Sequence, residues 1–186
     1  MSVFEYISVA VSIVVGLGLT QILRSLVVVF RARREYPVSW FMVVWAIVIF
    51  LIGVQFWWAM FQLHAEGMVP RWSIVAFLFI LAIAVTIYLA SAIVLPGEAK
   101  DLQTYLDEDG RWVFLALIVY GLMAVFANLI LFDSNPAEPV NTGTYLAIVC
   151  QAILFRTPTS RIAWPFTFYY VLFLAWAFWG AAPQAY

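Results

Sequence analysis

Charged side chains are scarce in this sequence. Only 10% of its 186 residues are Asp, Glu, Lys or Arg, and 66% are hydrophobic, whereas soluble domains carry about one quarter charged residues. The mean hydropathy is +1.01. A formal net charge of −1 provides no basic surface for nucleic acid. This composition excludes an ordinary soluble domain and a nucleic-acid-binding protein, and it is typical of an integral membrane protein.

The residues that most often build catalytic and metal centres are also scarce. The single cysteine, Cys150, has no partner for an internal disulfide, and the single histidine, His64, cannot form a bis-histidine haem site or a histidine-rich metal site. One axial contact from His64 to a haem or a bacteriochlorophyll stays open, although an interfacial role is more ordinary there. No phosphate-binding glycine loop, nucleophile elbow or metal-ligand spacing occurs. We therefore expect neither an enzyme nor a metal site.

Long apolar runs, by contrast, are abundant. Each predicts a membrane-spanning helix, and together they predict an all-α transmembrane bundle of six spans, at about 3–30, 40–63, 72–95, 112–132, 140–155 and 162–182. Because the loops are short, we expect a single transmembrane domain over 1–186. The segment 140–155 would be only ~24 Å long at 1.5 Å per residue, below the ~30 Å hydrocarbon core. A re-entrant segment is therefore the alternative at that position.

The basic residues divide unequally between the two sides of this predicted bundle. Six spans place seven of them on one side, against Arg71 alone on the other: Arg31, Arg33, Arg34, Lys100, Arg111, Arg156 and Arg161. Basic loops stay in the cytoplasm, so we expect both termini outside, in the periplasm, and a multi-pass protein of the bacterial cytoplasmic (inner) membrane. The start of the chain lacks a basic region before its apolar run, so we expect no cleaved signal.

The longest loop predicts a short helix at the membrane surface. After Pro96-Gly97, which favours a turn, Leu102, Tyr105 and Leu106 recur at helical spacing, and an interfacial helix is predicted at about 98–108, closed by Gly110. Six charged residues should share the cytoplasmic face, where they either make contacts with each other or a partner, or lie on solvated loops: Arg31, Arg33, Arg34, Asp107, Glu108 and Asp109.

The first span carries the clearest pattern of small and polar residues. They follow one another at steps of three or four and form one stripe along a helix: Glu5, Ser8, Ser12, Gly16, Thr20 and Arg24. Small residues allow close helix approach, and hydroxyls can bond across the contact, so helix packing within or between subunits is the first interpretation. The alternative is a solvated pathway lined by the stripe. Arg24 can extend its side chain to the cytoplasmic headgroups.

Other polar residues inside the spans are few. A polar cluster towards the outside is predicted from Gln62, His64 and Asn128. Gln55 and Gln151 are expected to bond between helices. No carboxylate falls in the middle of a span, which disfavours a proton- or sodium-coupled carrier.

Several stretches also resemble a known family. The opening FEYISVAVSIVVGLGLTQILRSL, the run IYLASAIVLP and the following DLQTYL and RWVF are similar to a family of small bacterial multi-pass membrane proteins. The resemblance implies a bacterial origin and no particular activity.

These observations favour a non-catalytic membrane subunit that packs within a larger homo- or hetero-oligomeric assembly, such as a respiratory or photosynthetic complex. The alternative is a small homo-oligomeric channel or carrier, with the first helix lining the pathway. The expected partners are the lipid bilayer and other membrane subunits or copies of the chain. We expect bound lipid, and a pigment or a quinone is compatible with the apolar interior.

Overall fold

The computed structural model of the chain describes residues 3–65, 73–131, 134–159 and 161–180. These residues form an all-helical bundle without strands. Its seven α-helices are α1 (Val3–Ala32), α2 (Trp40–Ala65), α3 (Ile74–Ile93), α4 (Leu102–Tyr105), α5 (Trp112–Leu131), α6 (Pro139–Arg156) and α7 (Ala163–Gly180). Helix α4 continues directly into a π-helical turn, Leu106–Gly110.

The helix ends follow from local chemistry. Ser73 caps α3 by accepting a hydrogen bond from the Ala76 N–H at 3.1 Å, which satisfies a donor that the first turn leaves free. Helix α3 ends at Ile93, just before Pro96, because proline has no N–H to continue the ladder. Pro139 begins α6. At this first position the fixed φ of proline suits the helix, and its missing N–H costs no hydrogen bond within the helix.

Five of the long helices close into a ring, in which α2 packs against α3, α3 against α5, α5 against α6, α6 against α7, and α7 back against α2. The sixth long helix, α1, packs against α2 and α3. Helix α6 lies antiparallel to α5 along its whole length, since Asn141 meets Asn128 at one end and Phe155 meets Trp112 at the other. We name the end that carries Arg111 and Arg156 the basic end and the end that carries Asn128 the opposite end.

The predicted all-α bundle is confirmed at the level of helix content. As far as the structure describes them, the six long helices begin and end within two residues of the apolar segments. Four of them, α1, α2, α3 and α5, are long and apolar enough to cross a membrane. Helix α7 is apolar but shorter, and α6 is less apolar because residues such as Asn141 and Gln151 interrupt it. Arg71 lies outside the described residues.

The loop helix begins later than predicted. Residues 98–100 are not helical, and the helix starts at Leu102 because Asp101 caps it: the Asp101 carboxylate accepts from the Thr104 N–H at 2.8 Å. It ends at Gly110, as expected, but its second half is π-helical. Gly110 is buried against Met42 and Tyr105, where a Cβ would lie 3.2 Å from each side chain. The loop is therefore packed under the bundle at the basic end.

An aromatic cluster fills the interior near the basic end. Trp45 on α2 is 1% exposed, and its ring centroid lies 5.1 Å from that of Phe114 on α5 and 5.2 Å from that of Tyr170 on α7. Its indole N–H donates to the Thr167 hydroxyl at 3.0 Å. That hydroxyl in turn donates to the Ala163 carbonyl. Trp45 thus joins three helices through ring packing and one buried hydrogen bond.

Replacing Thr167 by valine tests this junction. Thr167→Val keeps the shape but leaves the Trp45 N–H without an acceptor, so we expect the free energy of unfolding to fall by about 1 kcal/mol. Denaturant titration in mixed micelles measures the change. Thr142→Val is the matched control, because the Thr142 hydroxyl is exposed and bonds only within its own helix. Equal losses in the two variants would contradict a stabilising role for the junction.

Candidate functional site

The polar stripe of α1 points away from the chain's own bundle. Glu5, Gly16, Thr20 and Arg24 are exposed, and Ser8 and Ser12 are half-buried. The opposite face of the helix is the packed one, with Ile7, Val11, Val15, Ile22 and Val29 all buried. Gly16, Thr20 and Arg24 therefore lie on the outside of the chain's own bundle, whereas the Ser12 hydroxyl accepts from the Trp57 indole N–H at 3.2 Å.

The backbone of α1 is open along this stripe. A Cβ added at Gly16 would have no other atom within 4 Å. Two hydroxyls are turned back onto their own helix: Ser8 donates to the Glu5 carbonyl at 2.9 Å and Thr20 to the Gly16 carbonyl at 2.8 Å. These bonds satisfy the hydroxyl donors and leave a shallow surface of small side chains.

The predicted outer polar cluster forms around a different partner. Asn128 donates to the Asn141 side-chain oxygen at 3.0 Å, and the Asn141 amide donates to the Ser134 hydroxyl and to the Asn135 carbonyl. Gln62 is half-buried, while the side chain of His64 lies outside the described part of the chain. The sequence interpretation missed Asn141, which is fully buried. An asparagine in the first turn of an apolar helix was the available signal.

The six charged residues at the basic end lie on solvated surface. Arg31, Arg33, Arg34, Asp107, Glu108 and Asp109 are all exposed, and Arg33 donates to the Phe30 carbonyl of its own helix. No ion pair within 4 Å is found among these described residues. Arg111 lies instead over the Phe155 ring, 5.8 Å from its centroid. The six charges thus form a charged rim rather than a bonded network.

Two side chains hold the loop helix in place. Hydrogen bonds from the Thr104 backbone and hydroxyl lower the pKa of Asp101, so the cap is present at neutral pH and is lost as the pH falls through that lowered pKa. Tyr105 donates from its hydroxyl to the Ile93 carbonyl at 2.7 Å. Burial, with a smaller effect of Asp109, raises the pKa of Tyr105 to about 12. That bond is complete below the ordinary pKa of 10.0 and is lost as the pH rises towards about 12.

A cavity lies inside the ring, in the half nearer the opposite end. It has a volume of about 180 Å³ and is lined by α2, α3, α5, α6 and α7, but not by α1. Aromatic side chains form much of its wall, and its polar lining includes Gln151, Asn128 and Thr144. The sequence interpretation identified Gln151 as a polar group inside a span, but it could not place it on a cavity.

The described residues contain no group of three His, Cys, Asp or Glu side chains placed to hold a metal ion. The fold and these surfaces define a helical bundle of the kind found in integral membrane proteins. Comparisons with protein-family models, with curated proteins and with solved structures found no match. The resemblance to small bacterial membrane proteins therefore stays a prediction.

Removing the Tyr105 hydroxyl tests how the loop helix is anchored. Tyr105→Phe deletes the bond to Ile93, so we expect the amides of 102–110 to exchange hydrogen about fivefold faster, in line with a loss of about 1 kcal/mol. Hydrogen exchange followed by mass spectrometry measures this. Tyr145→Phe on α6, an exposed tyrosine, is the control and should leave the segment unchanged. Unaltered protection in Tyr105→Phe would show that packing alone holds the loop.

Proposed function

We propose that all six long helices cross the membrane, with the basic end in the cytoplasm of a bacterial cell and the chain in its cytoplasmic membrane. The support for a crossing by α6 is its antiparallel contact with α5, from Asn141 to Phe155. Since α5 is long and apolar enough to span, a helix that matches it end to end reaches the same depth. Eighteen residues also give α6 a length of about 27 Å.

This topology keeps the charge asymmetry of seven basic residues against one. Basic residues favour the cytoplasmic side, and the end of α1, the loop helix and the ends of α5 and α6 would all meet there. The beginning of α1 and the end of α7 would then lie outside. The opposite-end asparagines would lie near the outer headgroups.

Within the membrane, we propose that the chain is a non-catalytic subunit that packs against another transmembrane helix through α1. The observation that carries this proposal is the direction of the stripe. Ser8, Ser12, Gly16 and Thr20 recur in steps of four residues, on the side of α1 that the chain's own bundle leaves mostly uncovered. A surface of small residues repeated in this way is typical of helix–helix contacts in membranes.

The physical reason is the difference between lipid and a partner helix. Lipid tails are as apolar as leucine, so large apolar side chains lose little by facing them. The outer face of α5 is of this kind, with Leu122, Phe126 and Ile130 exposed. Small side chains instead allow a second backbone to approach closely, and van der Waals contact and interhelical hydrogen bonds then stabilise association. The partner helix belongs to a second copy or to another subunit.

Adding bulk to the stripe tests this proposal. Gly16→Leu should separate the assembly, because the leucine side chain holds the partner backbone away, while insertion into the membrane stays unchanged. Ala152→Leu adds the same bulk to an exposed position on α6 and should have no effect. Native mass spectrometry of gently extracted complexes gives the composition in each case. Complexes of unchanged size in Gly16→Leu would refute the contact.

Cysteine cross-linking identifies the partner. Cys150 is first replaced by alanine, so that Gly16→Cys carries the single thiol. If a second copy is the partner, Gly16→Cys should form a disulfide-linked dimer in membranes. If another subunit is the partner, a short bifunctional thiol–amine reagent should link Gly16→Cys to it. Absence of both products would count against the proposal.

A homo-oligomeric channel is the second candidate, because the same stripe carries hydroxyl groups between Glu5 and Arg24. Since the stripe faces outward, such a pathway would lie between copies rather than within one bundle. Ser12→Cys and Thr20→Cys would then react with water-soluble thiol reagents. Protection of both cysteines would favour the packed contact and remove the channel.

A further inference from the structure

The internal cavity contains a polar atom that its surroundings leave unsatisfied. Gln151 on α6 is 2% exposed and lines the cavity. Its side-chain oxygen is buried and accepts no hydrogen bond within the part of the chain that the structure describes. The carboxamide lies beside the Tyr170 hydroxyl.

An unsatisfied buried acceptor is costly to a fold. Leaving one without a donor costs on the order of 1–3 kcal/mol, and most buried polar side-chain atoms in proteins have a partner. In a membrane the cost is not relieved by nearby bulk water. A buried acceptor on a cavity wall is satisfied by a donor that enters the cavity, either water or a ligand.

The remaining wall restricts what such a molecule can be. None of the described lining residues is charged, so the site favours a neutral molecule. Phe56, Tyr120, Tyr170 and Phe173 contribute aromatic surface, which favours ring stacking and edge-to-face contact. The volume of about 180 Å³ is close to that of a cavity of roughly 150 Å³ that takes up benzene.

We propose that this cavity binds a compact, neutral aromatic molecule with a single N–H or O–H donor, and that the Gln151 side-chain oxygen accepts the hydrogen bond from that donor. The site is built by five helices and excludes α1. It is thus separate from the proposed subunit contact, and neither proposal depends on the other.

The cavity does not extend to the aromatic cluster at the basic end. Phe41, Trp45 and Phe114 are in ring contact there, and none of the three lines the cavity. Lining residues continue towards the opposite end as far as Met60, Asn128 and Ala177. The ligand therefore reaches Gln151 from the half of the bundle nearer the opposite end.

Two isosteric probes test the donor requirement. Indole and benzofuran share the same bicyclic shape, but indole donates through its N–H and benzofuran has only a ring oxygen. Titration calorimetry of the full chain in lipid nanodiscs should show saturable binding of one indole per chain. We expect indole to bind about fivefold to tenfold more tightly than benzofuran.

Variants separate specific binding from partition into lipid. Gln151→Leu should remove the preference, so that the two probes bind with equal affinity. Gln62→Leu, a glutamine outside the cavity, should keep it. Ala147→Leu and Ala59→Leu fill the cavity from two different helices and should abolish saturable binding of both probes. Two variants are used so that a folding defect in one of them does not decide the result.

Three results would overturn the proposal. The first is a heat of indole binding that does not saturate, or that is the same in Ala147→Leu and Ala59→Leu as in the wild-type chain. This would mean that indole only partitions into lipid. The second is equal affinity of the two probes for the wild-type chain. The third is tighter binding of benzofuran, which would mean that the Gln151 amide presents its N–H₂ group to the cavity rather than its oxygen.

Discussion

The hydrogen bond from the Trp45 indole to the Thr167 hydroxyl lies at the centre of the aromatic cluster that joins α2, α5 and α7. It is buried and joins helices that are far apart in the sequence. Around it, the rings of Phe114 and Tyr170 fix α5 and α7 against α2. The same three helices, with α3 and α6, line the cavity in the other half of the bundle.

The two faces of α1 serve different purposes. Its buried face fits closely against α3, where a Cβ at Gly18 would lie 3.3 Å from the Tyr88 backbone. The outward side carries the stripe of small and polar residues together with exposed apolar side chains such as Ile13 and Leu17. Assembly through that stripe would bury polar atoms that lipid cannot bond, while the cavity inside the ring stays available to a ligand.

Helix bounds were predictable because each apolar run is bordered by residues that break helices or prefer water, such as Pro96 and Arg111. The direction in which a pattern of residues faces in the bundle was not predictable. The stripe of α1 marks a face, but apolar residues flank it on both sides, as with Ile13 and Leu17, so only tertiary contacts show which way it points. Asn141 and Gln151 pose the same problem. The cavity around Gln151 is formed by helices distant in sequence, whereas Asn141 bonds to the preceding helix and loop. In neither case does the spacing of residues along one helix identify the partner.

The ring packing of Trp45, Phe114 and Tyr170 has a consequence for the movement of the proposed ligand. Because the rings of Trp45 and Phe114 are in contact, a ligand in the cavity does not pass between them to the basic end. The proposed ligand would then leave the cavity by the route through which it entered. Passage of the ligand to the basic end would require α2, α5 and α7 to separate there. The Trp45–Thr167 hydrogen bond and the rings of Phe114 and Tyr170 oppose that separation.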